Sequence, residues 1–292
     1  KKINSYPGSV INYSELIKIS NREKLTEYLK KKTYELRKWE MKNLTVNSFY
    51  RFVEISNKKQ IKKNLDSYLK LRLVRGTILL SDEGINATIS GYEETIEQAI
   101  KFIKNQLKIK KLDIKKNKTS FLPFNRMKVR LKKEIVSLGV GKFKSKDFIG
   151  KYIPPSSWDD TILDKNIKVI DVRNMYEIKI GKFNKSIDPF TNTFREFPGK
   201  IKNLNLSKKD KIAIYCTGGI RCEKASAYLK NKGYENIYQL KGGILNYLHY
   251  KMNSDESSQW KGSCFVFDDR VAIDNKLNKS KYSQCYGCRS PI

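Results

Sequence analysis

In the run Ile212-Ala213-Ile214-Tyr215-Cys216-Thr217-Gly218-Gly219-Ile220-Arg221-Cys222-Glu223, an apolar strand delivers a cysteine into a glycine-rich turn that ends in an arginine. Two adjacent glycines let the backbone N–H groups curl inward as an anion-binding nest. A helix opening at Cys222 adds the positive end of its dipole, and Arg221 adds a full charge. All of these favour thiolate over thiol, so Cys216 reads as a reactive group and not as a packed core residue. Four residues separate Cys216 from Arg221. The loop of tyrosine-phosphatase style is one residue longer and wraps a tetrahedral phosphate. The shorter ring made by Thr217, Gly218, Gly219, Ile220 and Arg221 suits a single terminal sulfur, as on a persulfide.

Other chemistry is limited by what the chain lacks. His249 is the single histidine in 292 residues, which excludes a multi-histidine metal site; it sits where an amphipathic helix ends and reads as structural. The five cysteines, Cys216, Cys222, Cys264, Cys285 and Cys288, form an odd set without framework spacing, as expected in a reducing compartment. Cys222 is a candidate resolving thiol for Cys216. Cys285 and Cys288 have the spacing of a zinc knuckle, and with Cys264 as a third ligand they make a candidate zinc site whose fourth ligand is not apparent. No run approaches the roughly 20 apolar residues of a membrane span, and no signal-type segment follows the first residues, so a cytoplasmic location is expected.

Sixty Lys and Arg against thirty Asp and Glu give a net charge of +30, a long-range attractive field for phosphate backbones. Abundant Lys, Asn, Ile and Tyr are also what AT-rich codons would produce, so the placement of the charges matters more than their number. In Phe124-Asn125-Arg126-Met127-Lys128-Val129-Arg130-Leu131-Lys132 the bases Arg126, Lys128, Arg130 and Lys132 alternate with apolar residues. A strand here is basic on one face and apolar on the other, with Phe121 and Phe124 just ahead where a base can stack.

These residues need elements to hold them. Residues 1–48 read as a basic helical extension. Residues 49–118 follow as strand, helix, two strands, helix and strand, the β-α-β-β-α-β order of a ferredoxin-like or acylphosphatase-like α+β domain. The acidic pair in Asp82-Glu83-Gly84 reads as hairpin-turn chemistry. Residues 119–157 hold the basic strand and a linker rich in glycine and proline. Residues 158–252 alternate strands and helices, as in a doubly wound parallel sheet with Cys216 at the carboxyl edge. Residues 253–292 form a cysteine-containing tail.

The segment from Trp158 to Met252 resembles a rhodanese domain through Asp171-Val172-Arg173, the loop from Cys216 to Arg221, and Gly242-Gly243-Ile244. Three further motifs extend the likeness over most of the chain. These are Ser81-Asp82-Glu83-Gly84-Ile85-Asn86-Ala87-Thr88, Phe194-Arg195-Glu196-Phe197-Pro198 and Phe265-Val266-Phe267-Asp268-Asp269-Arg270-Val271-Ala272. Together they resemble the bacterial tRNA uridine hydroxylases, which form 5-hydroxyuridine at the wobble position with dioxygen. The resemblance implies that Cys216 is a persulfide-type active-site cysteine in the cradle Thr217–Arg221. It also implies that the anticodon arm of tRNA is the partner and that dioxygen is a co-substrate. The sequence shows no flavin, haem or non-haem iron motif and does not name the electron donor. One position departs from the family pattern, Gly181-Lys182-Phe183 standing where Gly-His-Phe is expected. Two other readings use fewer of these features: a plain sulfurtransferase needs only the loop, and a noncatalytic RNA-binding protein needs only the basic strand.

Overall fold

Alternating apolar residues make two sheets in this chain, and each buries its apolar face differently. The computed structural model describes residues 16–17, 19, 21–38, 44–141, 150–254 and 256–292. The chain forms two compact units, Lys1–Asn43 and Leu44–Ile292. In the first, the helix Arg22–Lys38 opens where the Asn21 side chain accepts the N–H of Lys24 at 2.8 Å. Apart from residues 16–17, 19 and 21, the rest of the extension read at residues 1–48 lies outside the described residues up to Leu44, which is already strand.

The second unit begins with β1 (Leu44–Phe52), β2 (Arg75–Ser81), β3 (Gly84–Tyr92), β4 (Ile114–Thr119) and β5 (Met127–Leu131). They form one sheet in the order β4-β1-β3-β2-β5. The first four strands are antiparallel with the split order of an acylphosphatase-like domain, and β5 adds itself parallel to β2. The helices Lys58–Leu71 and Glu93–Gln106 cover one face, where Ile78, Leu80, Ile85, Ala87 and Ile89 meet Leu65, Leu69, Ile96 and Ile103. The opposite face carries Ser48, Tyr50, Thr77, Asn86, Thr88 and Lys115, polar residues that the period-two alternation sets against the core. That face has no covering helix of its own domain.

A second sheet follows from β6 (Lys151–Ile153), β7 (Ile167–Asp171), β9 (Lys211–Tyr215) and β10 (Asn236–Leu240), all parallel in the order β6-β10-β9-β7. Its inner strand β9 is near-continuously apolar and buried on both faces, as parallel sheets require, while β6 is an exposed edge. The helices Ile220–Asn231 and Gly243–Met252 follow β9 and β10. β8 (Gly181–Phe183) lies outside this sheet and pairs with β11 (Trp260–Gly262).

Within the stretch 119–157, read as a basic strand and a linker, β5 joins the first sheet and β6 is an edge strand of the parallel one. In the cysteine-containing tail 253–292, Trp260, Cys264, Val266, Ile273 and Leu277 join the core built on Trp158, Phe183 and Tyr215. The physical reason is burial of apolar surface that the parallel sheet alone leaves open. Among the described residues, no helix is long and apolar enough to cross a membrane.

Candidate active site

β9 ends at Tyr215, and Cys216 begins the loop at the carboxyl edge of the parallel sheet. The Gly219 N–H donates to Cys216 Sγ at 3.1 Å, which needs the positive φ of 98° that Gly219 adopts. The loop is pinned from behind, since the N–H groups of Ile244 and Leu245 donate to the carbonyls of Cys216 and Thr217 at 3.0 Å each. A Cβ at position 243 would stand 2.4 Å from the Cys216 carbonyl oxygen, so only glycine lets that helix approach. The helix after the loop opens at Ile220, two residues before the expected start at Cys222, and Arg221 is therefore in its first turn.

Arg221 is not left free to meet a ligand. Its Nη1 and Nη2 donate to Glu177 Oε1 and Oε2 at 2.5 and 2.7 Å, and Nη2 reaches Thr217 Oγ1 at 3.3 Å. Glu177 is fully buried; burial works against its charge, and Arg221 overcomes that and keeps the carboxyl below the usual range. The bidentate pair fixes the guanidinium against the loop. Burial likewise opposes a thiolate at Cys216. It is outweighed by the Cys222 thiol, the charge of Arg221 and the backbone N–H groups of Cys222 and Arg221, and the thiol is brought down to about 6. Cys222 itself is pushed well above the ordinary thiol range by burial and by its contact with Cys216.

Cys216, Thr217, Gly218, Ile220 and Arg221 line a cavity of about 690 Å³ whose opposite wall is the open face of the first sheet. Ser48, Tyr50, Thr77, Asn86, Thr88 and Lys115 come from that wall. A third side is the turn after β12 (Cys264–Phe265), with Phe267, Asp268 and Arg270. Asp268 grips Arg270 through Nε at 2.8 Å and Nη2 at 2.7 Å, and Val271 takes a φ of 63°, a strained conformation for a β-branched residue. Phe267 is left 62% exposed at this cavity, with the Arg221 guanidinium 5.8 Å from its ring. A large exposed aromatic beside a charged loop offers a stacking surface for a planar ligand.

The other expected residues fall as follows. Met127 and Val129 enter the core, and Lys128 and Arg130 take the opposite face, paired in register with the cavity-lining Thr77 and Leu79. Arg126 and Lys132 flank the strand and are exposed, so the four cations stand at the sheet edge next to the cavity. Phe124 lines the cavity, whereas Phe121 lies under Lys279 Nζ at 5.3 Å. Lys182, in place of the expected histidine, is exposed and away from the cavity lining. His249 is exposed on its helix. Of the candidate zinc ligands, Cys264 is buried in the core with its thiol toward the Phe265 carbonyl, while Cys285 and Cys288 are hydrogen-bonded to each other nearer the surface. Among the described residues, no group of three or more His, Cys, Asp or Glu is placed to hold a metal. Asp171 and Arg173 form a buried ion pair at 2.5 Å behind the loop and serve the scaffold.

Sequence reasoning missed Glu177, Tyr50, Glu223, Lys115 and Arg270. Glu177 had a local signal, since its Oε1 accepts the Asn174 N–H at 3.1 Å across the spacing of a helix start. Glu223 lies two residues beyond Arg221 in the same helix, and Tyr50, Lys115 and Arg270 reach the site from distant elements.

A cysteine in a short glycine-rich loop that ends in an arginine, at the edge of a parallel sheet and facing an acylphosphatase-like sheet, defines a rhodanese-type two-domain protein. Residues 44–135 match the UPF0176 acylphosphatase-like domain, and residues 156–249 match the rhodanese-like domain. Over 250 residues the chain is 44% identical to the tRNA uridine(34) hydroxylase of Wolbachia pipientis wMel, covering 86% of this chain and 90% of that one. Among solved structures it is similar to a rhodanese-related protein of Thermoplasma volcanium, with 28% identity over 34% of this chain and 92% of that one and a TM-score of 0.30. A rhodanese-like domain protein of Staphylococcus aureus is 25% identical over 33% of this chain and 90% of that one, with a TM-score of 0.28. The chain belongs to the tRNA uridine(34) hydroxylase family.

Proposed function

We propose that this chain hydroxylates the wobble uridine of tRNA at C5, with dioxygen as co-substrate and Cys216 as the reactive, persulfide-forming thiol. The observation that carries the reading is the cavity itself. It joins the Cys216 loop to a polar sheet face of the other domain, and its volume of about 690 Å³ accommodates an extruded nucleotide. A base inside a stacked anticodon loop cannot reach a cysteine at the floor of a cavity, so the uridine must be taken out of the stack. Phe267 and Phe124 supply aromatic surface for it, and Arg126, Lys128, Arg130 and Lys132 supply charge for the phosphates nearby. The 44% identity to a tRNA uridine(34) hydroxylase supports the same substrate.

The test is nucleoside analysis of tRNA from a strain lacking the gene and complemented with the wild-type chain or with Cys216→Ala. The expected result is 5-hydroxyuridine with the first and none with the second. Normal 5-hydroxyuridine with Cys216→Ala removes the cysteine from the chemistry. Thiosulfate-dependent sulfur transfer with no change in tRNA replaces the proposal with a plain sulfurtransferase.

A further inference from the structure

Glu223 lies in the same helical turn as Arg221 and is 6% exposed, yet its partners are all neutral. Tyr50 Oη donates to Oε1 at 2.9 Å, Tyr152 Oη lies 3.0 Å from both oxygens, and Gln239 Nε2 donates to Oε2 at 3.3 Å. The other deeply buried carboxylates, Asp171, Glu177 and Asp268, are each bound by an arginine at 2.5 to 2.7 Å. A carboxyl buried among neutral hydrogen-bond partners is costly, and burial accordingly raises its pKa above the ordinary range while the tyrosine and glutamine hydrogen bonds oppose the rise; the nearby Lys115 ammonium interacts with its charge. Such a group takes up a proton readily.

Its neighbours connect two cavities. Tyr50 comes from β1 and lines the Cys216 cavity; its hydroxyl is 2.9 Å from where a Cβ on Gly219 would sit, and the Gly219 N–H is the donor to Cys216 Sγ. Tyr50, Glu223 and Tyr152 also line a second cavity, and Tyr152 is 49% exposed. Charged groups in that second cavity are Arg51, Asp113 just before β4, Lys115 in β4, and Lys241.

We propose that Tyr50, Glu223 and Tyr152 form a proton relay that carries the C5 proton of the uridine from the Cys216 cavity to the second cavity. The proposal rests on the hydroxylation reading above. Dioxygen is the oxidant: as the ring π pair at C5 bonds to one of its oxygen atoms, the C5–H bond breaks and its electron pair restores the ring. The second oxygen leaves as water with two electrons and two protons from a thiol or hydride reductant in the lysate, and the oxygen left on C5 takes its proton from solvent. The proton goes to Tyr50 Oη while the hydroxyl proton of Tyr50 crosses to the Glu223 carboxylate, which becomes a neutral acid. Glu223 then releases that proton past Tyr152 to solvent. The relay moves a proton only and changes no oxidation state. Tyr50 is the catalytic residue of the relay, and Glu223 and Tyr152 act through it.

Glu223→Gln decides the matter, because it keeps the volume and an acceptor oxygen while losing the ability to take a proton. Purified full-length chain is added to a lysate of the deletion strain with tRNA from that strain, carrying either uridine or 5-deuterouridine. With the wild type, 5-hydroxyuridine forms. With Glu223→Gln the rate falls about 100-fold, as loss of a general base predicts, and deuterium at C5 slows the reaction more than it slows the wild type. Tyr50→Phe gives the same pattern. A Glu223→Gln variant at the wild-type rate, or one slowed with no change in the deuterium effect, overturns the relay. No product from the wild type overturns the hydroxylation reading, and the relay falls with it.

Discussion

The thiol of Cys216 is set by its neighbours more than by its burial. Burial alone would keep it protonated, but Cys222, Arg221 and the loop N–H groups bring it down to about 6, so it is mostly thiolate at neutral pH. Thiolate absorbance titrated in the wild type minus Cys216→Ala is expected to rise with a midpoint near that value. Arg221→Met removes a positive charge from beside the sulfur and is expected to move the midpoint upward by about one pH unit or more. An unchanged midpoint would show that the arginine does not tune the thiol. At this scale the sequence was informative wherever the chemistry is contiguous. Cys216, its glycines and Arg221 sit in one turn, and their spacing tells of an anion-binding loop. Nothing in that turn says that Glu177 holds Arg221 from 44 residues away, or that Tyr50 stands against Gly219 from another domain.

The loop is held in place by the elements on either side of it. The helix Gly243–Met252 donates its first N–H groups to the carbonyls of Cys216 and Thr217, and glycine at 243 permits the approach. Gly243→Ala combines a 2.4 Å contact with a positive φ, and a loss of about 1–3 kcal/mol is expected in urea unfolding. Elements with strong periodicity were legible in order and kind: strand, helix, two strands, helix and strand over 49–118, and the alternating strands and helices that follow. β1 was misplaced because Leu44, Thr45, Val46 and Asn47 follow a charged segment and only their pairing with β3 and β4 makes them strand. The alternation in β5 was read directly from the sequence, and its basic face borders the cavity through Thr77 and Leu79. Charge reversal at Arg126 and Arg130 is therefore expected to weaken tRNA binding and to reduce the slope of log affinity against log salt by about 1 per lost phosphate contact. An unchanged slope would place the RNA elsewhere.

Across the unit Leu44–Ile292, the two sheets are joined by polar contacts as well as by the cavity. Lys224 of the helix after the active-site loop is fully buried between Glu83 at 2.9 Å and Glu134 at 2.6 Å. Glu83 belongs to the hairpin turn of the first sheet and also accepts the Ile135 N–H at 2.6 Å, so the acidic turn expected only to reverse the chain also ties the domains. Lys224→Ala strands two carboxylates, and a loss of about 3–5 kcal/mol is expected in denaturant unfolding. The same joint presents the open face of the first sheet to Cys216, which neither domain achieves alone. The proposed reaction has one direct chemical outcome in that shared cavity, the arrival of an oxygen atom on the wobble uridine. Mass spectrometry of anticodon-loop fragments, from hypomodified tRNA incubated with the purified chain in a lysate of the deletion strain, reads it directly. The predicted result is one added oxygen at position 34 with the wild type and none with Cys216→Ala; an added sulfur, or an oxygen that appears equally with Cys216→Ala, would contradict it.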